Sequence, residues 1–191
     1  LSAMAELNLR YTRIGGGRYH NMRDLMDLPD CGRKVLRFPK QPPLQMNEFH
    51  YTQSMIHQIM HQDRCLHFPY YSFDHFLRLL QEAAISEEVT EIRISLYRVA
   101  QNSKVVKALT TAAQNGKRVT AVVELLARFD EQSNINWGKK MQDFGINVVL
   151  GHEKLKVHSK LVYIRTKHVG IACIGSGNLH EGTARLSTDL M

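Results

Sequence analysis

Residues 91–126 read EIRISLYRVAQNSKVVKALTTAAQNGKRVTAVVELL, and this stretch decides the fold class. Apolar and polar residues alternate over 91–97, which predicts a β-strand with one buried face. A helix is expected to begin after Ser103, a good N-cap, and to end at Gly116, because apolar residues recur between them at helical spacing. The near-continuous apolar run of residues 119–126 is typical of a strand covered on both faces. Strand, helix and strand in this order predict a parallel pair joined by a right-handed crossover.

Similar patterns extend in both directions from this unit. Upstream, Ser72 is expected to cap a helix whose apolar residues share one face. Downstream, the periodicity predicts one helix and three short strands, at residues 131–144, 146–150, 160–164 and 169–174. The short connection between the last two strands suits a hairpin, which adds an antiparallel portion. The sequence therefore predicts an α/β fold with a mixed, largely parallel sheet flanked by helices.

The beginning of the chain differs in character from the rest. Turn-forming residues interrupt it, and the KQPP stretch at 40–43 has the composition of a linker. We therefore expect residues 1–44 to be a short irregular or helical tail of a preceding domain, and residues 45–191 to form the α/β domain. A start at Leu1 instead of Met, and an end at Met191 directly after a motif-like stretch, suggest a segment of a longer protein whose α/β domain is truncated at its C-terminus.

Composition limits the functional class. Of the 191 residues, 43% are hydrophobic and 23% are charged, as in globular proteins, and no apolar run approaches the ~20 residues of a membrane-spanning helix. The three cysteines form no CxxC pair, which favours reduced thiols in a cytosolic protein. The formal charge of +7 indicates an anionic partner, and nucleic acid, a membrane surface, a nucleotide and an inorganic polyanion all fit. Because the basic residues are dispersed, a simple DNA-binding tail is disfavoured.

Polar residues suited to phosphate follow or precede the predicted strands at one edge of the sheet. In open α/β sheets, ligands bind at the carboxyl ends of the strands. Arg98 and Arg128 follow two predicted strands, His158 and Lys160 lie at the start of a third, and the GSGN turn at 175–178 follows a fourth. We expect Arg98, Arg128, His158, Lys160 and Asn178 to converge on one pocket there.

The chemistry of this set is that of a phosphate site. Guanidinium groups form paired charge-assisted bonds with phosphate oxygens, and a glycine-rich turn directs backbone N–H groups at an anion. Neutral imidazole can attack phosphorus or transfer a proton. Each element alone also has an ordinary structural interpretation, as a surface ion pair, an exposed histidine or a simple turn. Their placement at successive positions of one sheet edge favours the functional interpretation.

The spacing of HSK at 158–160 and of the later Gly-Ser and Asn resembles the phospholipase D signature. That resemblance implies a histidine that attacks a phosphodiester, with lysine and asparagine holding phosphate oxygens. The aspartate expected seven residues after the histidine is replaced by Arg165. This departure disfavours a hydrolase.

Six stretches in the expected order resemble polyphosphate kinase type 1 from about residue 15 to the C-terminus. They are GGRYHNM (16–22), FPYYSFDHF (68–76), ISLYRVAQNSKVV (94–106), AAQNGKRVTAVVELLARFDEQSNINW (112–137), LKVHSKL (155–161) and IGSGNLHEGTARLSTDL (174–190). The ARFDE-x-x-NI-x-W stretch together with KVHSK is the most specific part. The resemblance implies the end of the helical second domain followed by most of the first of two phospholipase D-like domains.

The resemblance also implies an activity and residue roles. The activity is reversible transfer of the terminal phosphoryl group of ATP to inorganic polyphosphate, with Mg²⁺, through a phosphohistidine at His158. Arg98 and Arg128 would lie near Mg²⁺ and hold the phosphate oxygens that the metal also touches, since a guanidinium cannot ligate a cation. Lys160 is expected to hold phosphate as well, and so are Ser176 and Asn178 of the glycine-rich turn.

Other expectations follow from the same family. The partners would be ATP, ADP and polyphosphate, not nucleic acid, and the full-length protein would be a homo-oligomer in the cytoplasm, peripheral to the inner membrane. The isolated segment should be inactive, because a second histidine and a further arginine belong to the next domain. Ser187 stands where the family usually has a tyrosine that contacts the nucleotide. A phospholipase D-like phosphodiesterase and a non-catalytic polyanion-binding module remain the alternatives.

Overall fold

The fold is taken from a computed structural model of the chain. It describes residues 32, 35, 38–39, 41–100, 102–125, 131–151 and 155–191. The chain divides into two compact units, Leu1–Gln41 and Pro42–Met191. The predicted tail at 1–44 lies almost entirely outside the described residues, so its assignment to a preceding domain stays a prediction.

Helices and strands of the described part alternate along the second unit. They are α1 (Met55–His61), β1 (His67–Phe68), α2 (Asp74–Ile85), β2 (Val89–Leu96), α3 (Lys104–Gln114), β3 (Arg118–Val123), α4 (Glu131–Asp143), β4 (Asn147–Leu150), β5 (Lys160–Thr166), β6 (Gly170–Gly175), α5 (Thr183–Leu186) and β7 (Asp189–Leu190). The predicted helices and strands therefore exist, with boundaries that move by a few residues.

Five of the strands form one mixed sheet in the order β4-β3-β2-β5-β6. Strand β2 is parallel to β3, and β3 is parallel to β4. Strand β5 is antiparallel to both β2 and β6. The predicted parallel pair of β2 and β3 and the predicted hairpin of β5 and β6 are both confirmed, whereas the hand of the crossover stays a prediction. The short strands β1 and β7 pair separately.

Three of the predicted helix ends follow local capping chemistry, whereas the predicted N-cap Ser72 was wrong by one residue. The N-cap of α2 is Phe73, and the Ser72 hydroxyl accepts a hydrogen bond from the Asp74 backbone N–H at 3.2 Å. The Ser103 side chain accepts a hydrogen bond from the backbone N–H of Val106 at 3.3 Å and so caps α3. Gly116 after α3 and Gly145 after α4 have φ values of 77° and 82°, a left-handed conformation that glycine adopts without strain. These ends fix where the chain turns back toward the sheet.

One face of the sheet carries the hydrophobic core. The buried side chains of α2, α3 and α4 form a single cluster with the inward-facing rows of the strands. On β3, Val119, Ala121 and Val123 are buried, whereas Thr120 and Val122 are only half-buried. The prediction that this strand is covered on both faces was therefore wrong. Valine favours strands whether or not a second layer covers it, so an apolar run does not report the number of covering layers.

A buried carboxylate lies on the other face of the sheet. Glu91 of β2 is 1% exposed and accepts hydrogen bonds from Arg93 Nε at 2.9 Å and from Arg118 Nε at 2.8 Å. The hydrogen bond from Arg93, and after it the hydrogen bond from Arg118, lowers the pKa of Glu91 below its ordinary value of 4.5. The charged form of Glu91 therefore stabilises the folded state.

Replacing Glu91 with glutamine is expected to reduce the resistance of the chain to acid. Since the pKa of Glu91 is lower in the folded state, its contribution is complete above pH 4.5 and is lost as the pH falls through the folded-state pKa. At neutral pH the substitution should cost about 1.5–3 kcal/mol, the scale of hydrogen bonds to a charged group. Thermal unfolding between pH 7 and pH 3 measures both effects. Glu48→Gln, at an exposed position, is the control, and equal pH dependence in the two variants would refute the role of Glu91.

Candidate phosphate site

The predicted site residues lie at one edge of the sheet. Because β5 is antiparallel to β2 and pairs with β6, the start of β5 lies beside the end of β6, with Lys160 opposite Gly175. The same edge holds the carboxyl ends of β2 and β3. His158, Lys160 and Ser176 are therefore neighbours at this edge, as the order of the strands predicted.

Three of the predicted residues surround the ring of Tyr97, which directly follows β2. The imidazole of His158 lies 5.4 Å from the Tyr97 ring centroid, in an edge-on arrangement. Lys160 Nζ lies 5.6 Å from the same ring and Arg98 Cζ lies 5.9 Å from it. Lys156 Nζ, at 5.2 Å, completes the group. The structure thus brings a histidine and three cations around one aromatic ring.

Sequence reasoning missed two members of this group. Tyr97 lies within the ISLYRVAQNSKVV stretch and Lys156 within LKVHSKL, but neither residue was assigned a part in the site. Only the position of Tyr97 at the strand end, next to Arg98, could have indicated its role.

Lys160 is held tightly at this edge. It is 7% exposed, and its ammonium group donates a hydrogen bond to the backbone carbonyl of His158. Burial lowers the pKa of Lys160 from its ordinary value, Asp189 raises it, and Lys156 lowers it further. A bound phosphate would favour the protonated amine, so anion binding and protonation of Lys160 are coupled.

The glycine-rich turn is hydrogen-bonded to strand β7. Ser176 Oγ donates to Asp189 Oδ1 at 2.8 Å and accepts from the Leu190 backbone N–H at 3.0 Å. A Cβ atom at Gly177 would overlap the Asp189 carboxylate, which explains the glycine. Ser176 borders a depression of about 410 Å³ together with His158 and Lys160. Its hydroxyl is engaged with Asp189 and therefore shapes the rim of this depression.

Two predicted residues are not part of the observed group. Asn178 is half-buried, and its Oδ1 has no hydrogen-bond partner among the described residues. No described contact joins its side chain to His158 or to Lys160. Arg128 lies outside the described residues, so its expected place beside Arg98 stays a prediction.

Arg165 lies at the far end of β5 from this site. It is five residues along the strand from Lys160, roughly 17 Å at 3.3 Å per residue, and its Cα is paired with that of Glu91. A carboxylate at this position would not reach His158 either. Arg165 therefore lies outside the group around Tyr97, and the expectation that its presence disfavours a hydrolase stays a prediction.

The donors at this edge are of the kind that binds phosphate oxygens. In the part of the chain that the structure describes, no group of three or more His, Cys, Asp or Glu side chains could hold a metal ion. The charged groups around Tyr97 are instead cations, which repel Mg²⁺ and attract phosphate.

Two further observations concern other sequence features. Ser187, which replaces the tyrosine of the resemblance, is the C-cap residue of α5, where its backbone N–H donates to the Thr183 carbonyl at 2.9 Å. Among the described helices, none combines the length and apolar character that a bilayer crossing requires.

Comparisons with known proteins agree on one family. The polyphosphate kinase C-terminal domain 1 profile matches residues 54–191. Curated polyphosphate kinases of Vibrio vulnificus (strain YJ016) and Escherichia coli (strain K12) are 44% and 41% identical over 180 and 182 residues. In both cases the match covers 92% of this chain and 26% of the relative. The chain thus spans about a quarter of the length of these relatives.

Solved structures give the same result. The crystal structure of polyphosphate kinase from Porphyromonas gingivalis has a TM-score of 0.76 at 40% identity, covering 93% of this chain and 30% of that one. Nuc, a phospholipase D family member from Salmonella typhimurium, has a TM-score of 0.50 at 17% identity, over 66% of this chain and 78% of that one. This second likeness shows the fold, and the phospholipase D-like fold class is confirmed.

Proposed function

Since the chain belongs to the polyphosphate kinase family through its C-terminal domain 1, we propose that it supplies the phosphoryl-transfer site of such a kinase. The observation that carries this proposal is the group around Tyr97. An exposed imidazole, His158, lies beside Lys160 and Arg98 on a segment that the family profile covers. Nucleophile and phosphate-binding cations are thus adjacent at a sheet edge where ligands bind in this fold class.

The proposed reaction has two transfers. An imidazole nitrogen of His158 attacks the terminal phosphorus of ATP, an N–P bond forms, and ADP leaves with the electrons of the broken P–O bond. A terminal oxygen of polyphosphate then attacks the phosphohistidine and frees the imidazole, and each step can run backward. Charge on the equatorial oxygens must be neutralised in both steps, which is the role of Lys160, Arg98 and Arg128. Ser176 and Asn178 are proposed to shape the phosphate pocket.

Mg²⁺ stays a prediction of the family resemblance. Since the described residues offer cations and no cluster of carboxylates, the metal would be held mainly by phosphate oxygens of the nucleotide. Three further expectations also stay predictions: that the full-length protein is a homo-oligomer, that it is cytoplasmic and peripheral to the inner membrane, and that its partners are limited to ATP, ADP and polyphosphate. So does the inactivity of the isolated segment.

A phosphodiesterase remains the second candidate, because the fold is shared with a phospholipase D family member, although Arg165 replaces the aspartate of that signature. The two functions differ in the source of the enzyme-bound phosphate. A kinase should take it from ATP, release ADP, and retain an acid-labile phosphate on His158 in the full-length protein. Label transfer from a phosphodiester, with none from ATP, would favour the phosphodiesterase. A polyanion-binding module would acquire no label from either.

The cations should bind small phosphates even without the remaining domains. We expect Arg98→Ala to weaken binding of pyrophosphate to this chain by about 1.5–3 kcal/mol, because a charge-assisted donor is lost. Titration calorimetry measures the difference. Arg78→Ala is the matched control, since Arg78 stacks on Tyr51 at 4.7 Å much as Arg98 does on Tyr97. Equal affinity of the Arg98 variant and the unsubstituted chain would contradict the assignment of Arg98.

A further inference from the structure

We propose that Glu124 and Asn134 are positioning residues of the phosphate site, an inference that rests on the proposed function. Neither side chain lies in the group around Tyr97. Both are buried, at 4% and 0% exposure, and both hydrogen-bond to the loops that carry that group. Their proposed task is to fix the distance between the loop after β2 and the loop before β5.

Asn134 ties the ends of two parallel strands together. Its side-chain amide nitrogen donates to the Tyr97 carbonyl at 2.9 Å and to the Glu124 carbonyl at 2.8 Å. These carbonyls lie just beyond β2 and β3, where the sheet pairing ends. The Asn134 NH₂ group on α4 therefore links the two strands by hydrogen bonds just beyond the point where their regular backbone pairing ends. Because Tyr97 immediately precedes Arg98, this contact also fixes the loop of that arginine.

Glu124 extends the same connection to the loop of His158. Its Oε2 accepts a hydrogen bond at 2.6 Å from the backbone N–H of Val157, the residue before His158. Its own backbone N–H donates to the Leu96 carbonyl at 2.9 Å. The hydrogen bonds thus run from the end of β2 through Glu124 to the segment that carries the nucleophile.

The space around this connection is filled. Gly151 at the end of β4 donates to the Val123 carbonyl at 3.0 Å. A Cβ atom at Gly151 would lie 2.9 Å from Val157 Cγ2 and 3.8 Å from Glu124 Oε2. Val157 therefore packs directly against Gly151 and cannot move toward β4. The hydrogen bond to Glu124 and this contact with Gly151 together position the residue before His158.

The cost of this arrangement indicates that it serves more than packing. A buried carboxylate and a fully buried amide are unfavourable unless every polar atom is paired. The Asn134 amide nitrogen is fully paired, whereas its Oδ1 atom has no partner among the described residues, so this buried amide carries a desolvation cost that a purely structural contact would not require. Violations of this kind concentrate where a site must be held in one geometry.

Two substitutions of Glu124 in the full-length protein distinguish the effect of its hydrogen bond to Val157 from the effect of its negative charge. Glu124→Gln keeps an oxygen that can accept from Val157, whereas Glu124→Ala removes the acceptor. We expect kcat to fall about 30–100-fold in the alanine variant with KM changed little, since an ångström-scale misplacement costs on this order. The glutamine variant should retain kcat within about threefold. Unchanged kcat in Glu124→Ala, or equal losses in the two variants, would overturn the positioning role.

Two measurements do not depend on turnover. Hydrogen exchange of the Val157 amide should accelerate in Glu124→Ala and stay slow in Glu124→Gln, and unchanged protection in both would overturn the proposal. Gly151→Ala leaves both side chains intact and displaces Val157, so it should lower kcat even if Glu124→Ala fails to fold. Normal kcat in that variant also counts against the proposal. If the unsubstituted protein forms no phosphohistidine, the proposed function fails, and the amide exchange still decides whether Glu124 holds the loop.

Discussion

Replacement of His158 by alanine is expected to abolish both the phosphoenzyme and polyphosphate synthesis in the full-length protein. Imidazole keeps a free lone pair near neutral pH and needs no strong base to attack phosphorus. His158 is exposed at the depression that Lys160 and Ser176 border, so a phosphoryl group can reach it. Formation of acid-labile phosphate from labelled ATP, followed by peptide mapping, measures the first loss, and polymer yield measures the second.

The matched control is His168→Ala, in the exposed turn between β5 and β6 at the opposite edge of the sheet. This variant should keep the label and the synthesis rate. Recovery of the label on another histidine, such as His152 or His180, would overturn the assignment of the nucleophile. The family membership would survive that result, because it depends on the whole matched segment.

Lys160→Ala should slow synthesis by about 10²–10³-fold, the effect of removing one preorganised donor from a transition state. The residue is buried beside the Tyr97 ring, and its ammonium group is held by the His158 carbonyl, so water cannot easily take its place. The label should still map to His158. Single-turnover kinetics on labelled ATP would measure the rate of phosphoenzyme formation directly.

A second lysine, the half-buried Lys117, serves as a control for lost stability. Lys117 Nζ donates to the carbonyls of Ser86 at 2.5 Å and Val89 at 3.0 Å, and burial lowers its pKa as it does that of Lys160. Lys117 precedes β3 and so lies at the edge opposite the site. Lys117→Ala should lower the melting temperature with the synthesis rate nearly unchanged. Similar rate losses in the two variants would indicate that Lys160 acts through stability alone.

The predictable part of the fold was the part that local chemistry determines. Ser103, Gly116 and Gly145 set helix ends through their own backbone and side-chain preferences, and all three act as expected. The number of layers on β3 was misjudged because coverage depends on where distant helices pack. Strand pairing such as Glu91 opposite Arg165 likewise joins residues far apart in the chain, and no local pattern indicates it.

The proximity of the candidate site residues was predictable in part, whereas their function stays a prediction. The order of the strands placed Arg98, His158 and Lys160 at one edge, and the structure brings them together. Tyr97, at the centre of the group, was not assigned a part in the site from the sequence. The contact of Glu124 could not be predicted either, because its side chain accepts from the backbone N–H of Val157, a group that every residue except proline carries.

The exposed face of the sheet is expected to differ from the buried face in how freely its residues are substituted within the family. Along β5, Val162 and Ile164 face the core, while Leu161 and Arg165 alternate with them on the exposed side. Inward positions are constrained by packing in every relative, whereas outward positions are constrained only if something rests on them. Substitution rates at the outward positions of this strand can be compared with those at the inward positions. Low rates at the outward positions would indicate that another part of the longer relatives packs on this face.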